Sequence, residues 1–355
     1  MELTRRRFLQ YSSAAALALM SGASVEAATQ TRELGPLGAL GFPWSARTAG
    51  PPPFAVHVLS RFAYGHTQAD MVAIQAGAFD VNAWFEEQIH PTDTDTDTLT
   101  SKLNTLESIA KSAFQLFSDY PQMPAQQGGP SVYNVVMPDL VRATLLRKVY
   151  SKWQLKEVMV DFWTDHFNID QTDGENQVLK TPDDRDVVRA HALGKFSDLL
   201  KASAHSGAML YYLDNYTNKN TGVNENYARE VMELHTLAPG NYTETDVREL
   251  AKVLTGWTIW RTADPAYGLL RFRPEWHDNG VHTVLGNVFG PNGGQAEGEA
   301  MLDVLANHPA CARFVSKKLC RWLLSYTPSD RIVGDVTDTY LATGGDIKAM
   351  IRTAL

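Results

Sequence analysis

The sequence predicts an all-α protein, mostly helical, with irregular loops and one small hairpin near residues 260–290. Three observations carry this. Apolar residues recur every three or four positions over most of the chain, capping patterns open several of those stretches, and the strand-helix alternation that a parallel sheet needs is absent. No internal repeat is present.

At the N-terminus, Thr4-Arg5-Arg6-Arg7-Phe8-Leu9-Gln10 precedes a weakly apolar run, Tyr11 to Met20. Residues 1–27 read as a signal peptide ending at Val25-Glu26-Ala27. The Arg5-Arg6 pair followed by Phe-Leu points to the twin-arginine translocase as the export partner. The run is far shorter than the roughly 20 residues of a membrane span, and no later segment matches a span better. The mature protein is therefore expected to be periplasmic or extracellular, with no membrane span. Residues 28–53, rich in Gly, Pro, Ala and Thr and ending in Pro51-Pro52-Pro53, read as a linker or surface arm. Residues 54–355 read as a single helical domain.

A hydrophobic content of 44% is enough to bury a substantial core, and the formal charge of −8 disfavours nucleic acid as a partner. Cys311 and Cys320 fall within one expected helix, roughly 13 Å apart at the helical rise. A disulfide cannot span that gap.

Along the chain, Phe54, Val58 and Phe62 repeat at four. Thr67-x-x-Asp70 resembles a capping box for a helix ending near Gly77, and Asp80 caps a third helix carrying Trp84, Phe85 and Ile89. The Thr/Asp alternation of residues 92–98 reads as a loop before a helix from Leu99 to Phe117, and residues 120–134 as a second loop. Pro138 suits the first turn of one long helix running toward Phe167, with Val141, Leu145, Val149, Val158 and Phe162 on recurrent faces. Helices follow at Asp184 to Leu193, Phe196 to His205, Ala208 to Leu213, Asn224 to Leu237, and Thr245 to Trp257 with Thr243 or Thr245 as its cap. After the irregular stretch Trp260 to Gly294, they resume at Glu297, Pro309, Asp330 and Asp346. The last stretch is amphipathic and has no stop signal, so a longer natural protein is expected.

Three polar constellations stand out. In Asn224 to Thr236, a step of 100° per residue puts Glu225, Asn226, Arg229, Glu230 and Glu233 on one arc and the apolar residues with His235 on the other. That arc is either a solvated ladder of i, i+4 ion pairs or a site. In Asp161 to Phe167, His166 shares an aromatic face with Phe162. Either it faces a polar cavity or it is a structural histidine near a helix C-terminus. In Glu275 to His282, His277 and Asp278 sit on a turn-rich loop with donors suited to a divalent metal, although Asp-Asn-Gly is also a common turn former. No H-E-x-x-H, G-x-S-x-G, phosphate-binding Gly loop or paired C-x-x-C occurs.

The phrases Phe162 to Phe167, His191-Ala-Leu-Gly194-Lys-Phe196, Ala208 to Asn215, Asn224 to Leu237, Asp246-Val-Arg248-Glu249-Leu250-Ala251 with Thr255-Gly256-Trp257, and His277-Asp278-x-Gly280 before Leu285-Gly286 resemble, in order, the bacterial family called domain of unknown function 1800. The resemblance runs from about Phe54 to the C-terminus. It implies a largely helical, often exported protein without a settled activity, and a second exported protein encoded nearby as a partner. The family pattern specifies Asn-Glu-Asn and Arg-Glu together, which favours a buried polar network. The sequence departs from the pattern in three places. Leu237-Ala238-Pro239-Gly240 stands where a Leu-Gly turn is usual, His282 stands in place of Lys, and members generally continue tens of residues past Leu355.

Two readings of function follow. One is an enzyme or cofactor protein whose polar site gathers Asn224, Glu225, Asn226, Arg229, Glu230 and Glu233 with Asp214 and His191, and whose metal candidates are His166, His277 and Asp278. Glu225, Glu230 and His277 would then converge in one pocket. The other is a noncatalytic protein that binds a partner or an envelope polymer, its polar motifs being structural.

Overall fold

The helical periodicity resolves into short helices joined by capped turns. A computed structural model describes residues 53–122, 129–261 and 264–355. The expected signal peptide, and all of the expected arm except Pro53, lie outside them.

The first helices are α1 (Phe54–Phe62), α2 (Gln68–Gln75) and α3 (Val81–Gln88). Thr67 and Asp70 close the expected capping box on α2, and Asp80 accepts from the amides of Asn82 and Ala83 at α3. The helix expected from Leu99 to Phe117 is instead two, α4 (Asp97–Leu103) and α5 (Ala113–Asp119), with a 3-10 turn, Glu107–Ala110, between them. Ser112 starts α5 afresh by exchanging bonds with Gln115 in a second capping box.

A π-helical turn, Val132–Val136, leads into α6 (Met137–Tyr150), which α7 (Gln154–His166) follows. These two replace the one long helix expected toward Phe167. At the break the Ser151 hydroxyl donates to Asp95 (2.5 Å) and accepts from the Trp153 amide (3.0 Å), turning the backbone out of the helix. Val158 and Phe162 are buried as expected, but Val141 and Val149 face solvent.

Next come α8 (Asn176–Pro182), a π-helical stretch Asp183–Val188, α9 (Arg189–His191), α10 (Phe196–His205) and α11 (Gly207–Tyr212). Buried ion pairs tie this region to α6 and α7: Arg189 with Glu157 (2.5 Å) and Arg147 with Asp184 (3.6 Å). Ser206 and Leu269 form an isolated antiparallel bridge, and a Cβ on Gly207 would lie 1.9 Å from the Gly268 carbonyl oxygen. The Gly268 backbone can come that close because Gly207 carries no side chain, whereas a Cβ on Gly268 would meet Leu179 and Ala113.

The Asn224 segment is α12 (Asn226–Glu230) running into a third π-helical stretch, Val231–Thr236. Thr243 and Asp246 cap α13 (Glu244–Val253). The irregular region holds two antiparallel ribbons where one hairpin was expected: β1 (Trp257–Ile259) with β2 (Leu270–Phe272), and β3 (His282–Val284) with β4 (Asn287–Phe289). Residue 257, expected to end a helix, opens β1. In the β3-β4 hairpin both turn residues, Leu285 and Gly286, have positive φ (49° and 77°), the pattern of a type I′ turn. The Asp246 carboxylate accepts the Leu285 amide at 2.7 Å, so the cap of α13 also anchors that turn.

The chain ends in α14 (Gln295–Ala306), α15 (Pro309–Leu323), α16 (Asp330–Thr343) and α17 (Ile347–Ala354). Cys311 and Cys320, both on α15, are buried and free. One apolar cluster runs from Val58 to Ala354, with Trp163, Trp257, Tyr227 and Tyr340 among its largest members. Burying each such side chain is worth about 1.5–3 kcal/mol. No helix among the described residues is long and apolar enough to cross a membrane.

Candidate functional site

Most of the polar motifs meet on loops stacked over α13. Asn215 donates its side-chain amide to the carbonyls of Leu254 (3.4 Å) and Trp257 (3.1 Å). The Asn218 amide donates to Ala251 O (2.8 Å) and Asn215 Oδ1 (3.1 Å), while its own Oδ1 accepts from the Asn224 amide (2.9 Å). Asn220 donates to the His277 carbonyl at 3.0 Å. The loop before α12 is thereby sewn to the end of α13 and to the loop carrying His277.

His277 is 1% exposed. Its Nδ1–H donates to the Thr255 carbonyl (2.9 Å), which leaves Nε2 facing Glu297 Oε2 at 3.8 Å. The Glu297 Oε1 atom accepts the Gly293 amide at 2.6 Å. Buried His282 donates from Nδ1 to Glu249 (3.1 Å), and its Nε2 lies 3.4 Å from Asp278 Oδ1. Bonds from Lys252 and His282 hold the Glu249 carboxyl below its usual range despite the opposing effect of burial. His277 Nε2, His282 Nε2 and Glu297 Oε2 are buried without a hydrogen-bond partner. Asp278 orders its own turn, its amide donating to Thr255 Oγ1 and its Oδ1 accepting the Gly280 amide.

The polar arc of α12 is engaged elsewhere. Arg229 forms a two-bond pair with Glu244 of α13 (both 2.8 Å) and a longer contact to Glu225 (3.4 Å), all half-exposed or exposed. Glu233 accepts from the Tyr242 hydroxyl at 2.8 Å. Burial, then repulsion from Glu233, raises the Glu230 carboxyl above its ordinary range. Asn224 accepts the Asn226 amide, a turn contact that orders the start of α12. No bond or ion pair among the described residues joins Glu225 or Glu230 to His277. The carboxylate at His277 is Glu297.

The remaining candidates lie apart in role. Asp214 is exposed, with a left-handed φ of 59° at the head of a 3-10 turn. His191 donates Nδ1–H to the Val187 carbonyl (2.9 Å). His166 is packed among Phe162, Trp163, Phe167, Phe196 and Phe314, and its Nε2–H donates to the His235 carbonyl at 2.9 Å. Burial, then the Lys318 charge, holds His166 well below the usual histidine range and pushes His235 down to about 3. The three metal candidates His166, His277 and Asp278 thus do not make one group. Among the described residues, no set of three or more His, Cys, Asp or Glu side chains is placed to hold a metal ion.

The sequence reading missed a cationic recess of about 280 Å³ on the outer side of the same loops. Tyr216, Lys219, Arg261, Arg271, Arg273 and Trp276 line it, and among the described residues no carboxylate does. Arg273 and Lys219 stack on Trp276, with 4.4 and 4.0 Å to the ring centre. Arg271 lies over Trp260 (4.1 Å) and Arg261 over Tyr216 (4.8 Å). Arg261 pairs with Glu175, whereas Lys219, Arg271 and Arg273 have no ion pair among the described residues. The Arg273 Nε atom is buried and unpartnered. A readable signal existed in Arg271-Phe272-Arg273, whose period of two puts both arginines on one face of a strand.

Fold and site together define a mostly helical protein in which polar loops frame a basic recess. The family described as Protein of unknown function (DUF1800) matches residues 57–355, and the chain belongs to that family. No curated protein and no solved structure matches the chain.

Proposed function

We propose that the chain is exported folded by the twin-arginine translocase and acts outside the cytoplasm as a binding protein, its polar motif serving as scaffold. The observation behind this is the fate of five side chains. Asn215, Asn218, Asn220, Thr255 and His277 all donate to backbone carbonyls. A donor locked on a carbonyl orders a loop and is withheld from a substrate. His277→Gln should therefore lower the melting temperature, and the purified protein should hold no stoichiometric metal on elemental analysis. A stoichiometric metal that is lost in His277→Gln would overturn the scaffold reading.

That outcome would favour a second reading, a cation-dependent site at His277, His282 and Glu297, whose unpartnered buried atoms are its only support. Export has its own test. Exchanging Arg5 and Arg6 for Lys should trap the protein in the cytoplasm, and unchanged export in a strain lacking the translocase would sink the twin-arginine assignment.

A further inference from the structure

The recess carries more positive charge than its surroundings neutralise. Among the described residues only Arg261 of its four cations has a carboxylate partner, so about three charges face the cavity unpaired, in a chain whose formal charge is −8. Clustering like charges is unfavourable without a counter-ion, and here the cations are held in place. Three guanidinium groups and one ammonium each lie over an aromatic ring. Such stacking fixes the donors before a ligand arrives and lowers the entropy lost on binding.

We propose that this recess binds a diphosphate group. The proposal rests on the binding-protein reading above and names its ligand. Planar guanidinium forks match phosphate oxygens two at a time. A carboxylate brings one charge and a single phosphate about −1.5 to −2, so a diphosphate matches three unpaired cations best. The cavity, near the lower end of ligand-pocket sizes, admits a compact anionic group and leaves the rest of a larger molecule outside. The Nε–H of Arg273 is buried and has no hydrogen-bond partner among the described residues. Asn220, which bonds to the carbonyls of Trp276 through its amide and of His277 through its side chain, sets the depth of the wall that carries Trp276.

The test is calorimetric titration of the full exported chain with inorganic pyrophosphate and with orthophosphate. Pyrophosphate should bind at least about ten times more tightly than orthophosphate, and more weakly as salt rises. Arg271→Gln and Arg273→Gln should each weaken it about ten-fold or more, with Lys219→Gln as a half-exposed control less able to disturb the fold. All three should melt like the parent. Absence of pyrophosphate binding, or binding indifferent to all three substitutions, overturns the proposal. The scaffold reading survives that result, because His277→Gln and elemental analysis test it separately. Two further arms identify the source of the group, a nucleoside diphosphate in solution and vesicles containing a polyprenyl diphosphate. Arg273-dependent flotation with the vesicles assigns a lipid carrier, and Arg273-dependent binding of the free nucleotide alone assigns a soluble one.

Discussion

Two pairs of histidines in this molecule are both buried, in opposite surroundings. His166 and His235 sit among aromatic rings in the helical body, where burial and Lys318 keep them uncharged. His277 and His282 sit in the loop and hairpin region, each beside a carboxylate: Glu297 for the first, Glu249 and Asp278 for the second. The helical body is held by packing, the loop region by directed hydrogen bonds. Burial alone therefore does not tell what a histidine does, and its neighbours do.

The contrast is tested most severely by removing one anchor from each region. Trp163→Ala, deep in the helical body and bonded through Nε1 to the Ala192 carbonyl, should cost about 3–5 kcal/mol in urea unfolding. Asn218→Ala should cost less, about 2–3 kcal/mol, because it strands the Ala251 carbonyl and the Asn224 amide in a buried setting. Equal costs would erase the distinction between packed and bonded regions.

Acid should act on the helical body in particular. With its folded pKa near 3, His235 stays neutral while the unfolded chain takes up a proton below about 6.5. The unfolded state then binds more protons, so stability is full above about pH 6.5 and falls as the pH drops toward 3. The expected loss is about 1 kcal/mol between pH 6.5 and 5.5. His235→Gln should make that slope shallower, His166 supplying what remains. An unchanged slope in the variant would mean that the acid sensitivity arises elsewhere.

The smallest effect is expected at Ala238, where φ is 66°. An L-residue in that left-handed region costs about 1 kcal/mol, and glycine adopts it freely. Ala238→Gly should stabilise the protein by about 0.5–1 kcal/mol, read as a shift in the denaturation midpoint. A loss of stability would show that the loop is not limited by backbone strain.

Much of the fold was legible because its causes are local. Thr67 with Asp70, Asp80, Pro138 and Thr243 marked helix starts that the structure has within a residue or two. Ser112-x-x-Gln115 is an equally legible cap, and it divides the one expected helix into α4 and α5. The break at Ser151 was not legible, since it depends on Asp95, 56 residues away. For the candidate site, periodicity found the arc of α12 but not its partners. Arg229 reaches across to Glu244, and Glu297 comes to His277 from the start of α14. Such pairings are decided by tertiary packing, and no spacing within one segment encodes them. The cations of the recess come from three separate stretches, and only Arg271 and Arg273 share a pattern.

The π-helical stretches Val132–Val136, Asp183–Val188 and Val231–Thr236 have a consequence for comparing this chain with its relatives. Each accommodates roughly one residue more than the α-helical turn it replaces. A relative could lack that residue, close the stretch as ordinary α-helix and keep the flanking faces aligned. One-residue gaps between family members should therefore gather at these three places. A gapless alignment through Val231–Thr236 would set such a relative's residues about 100° out of step.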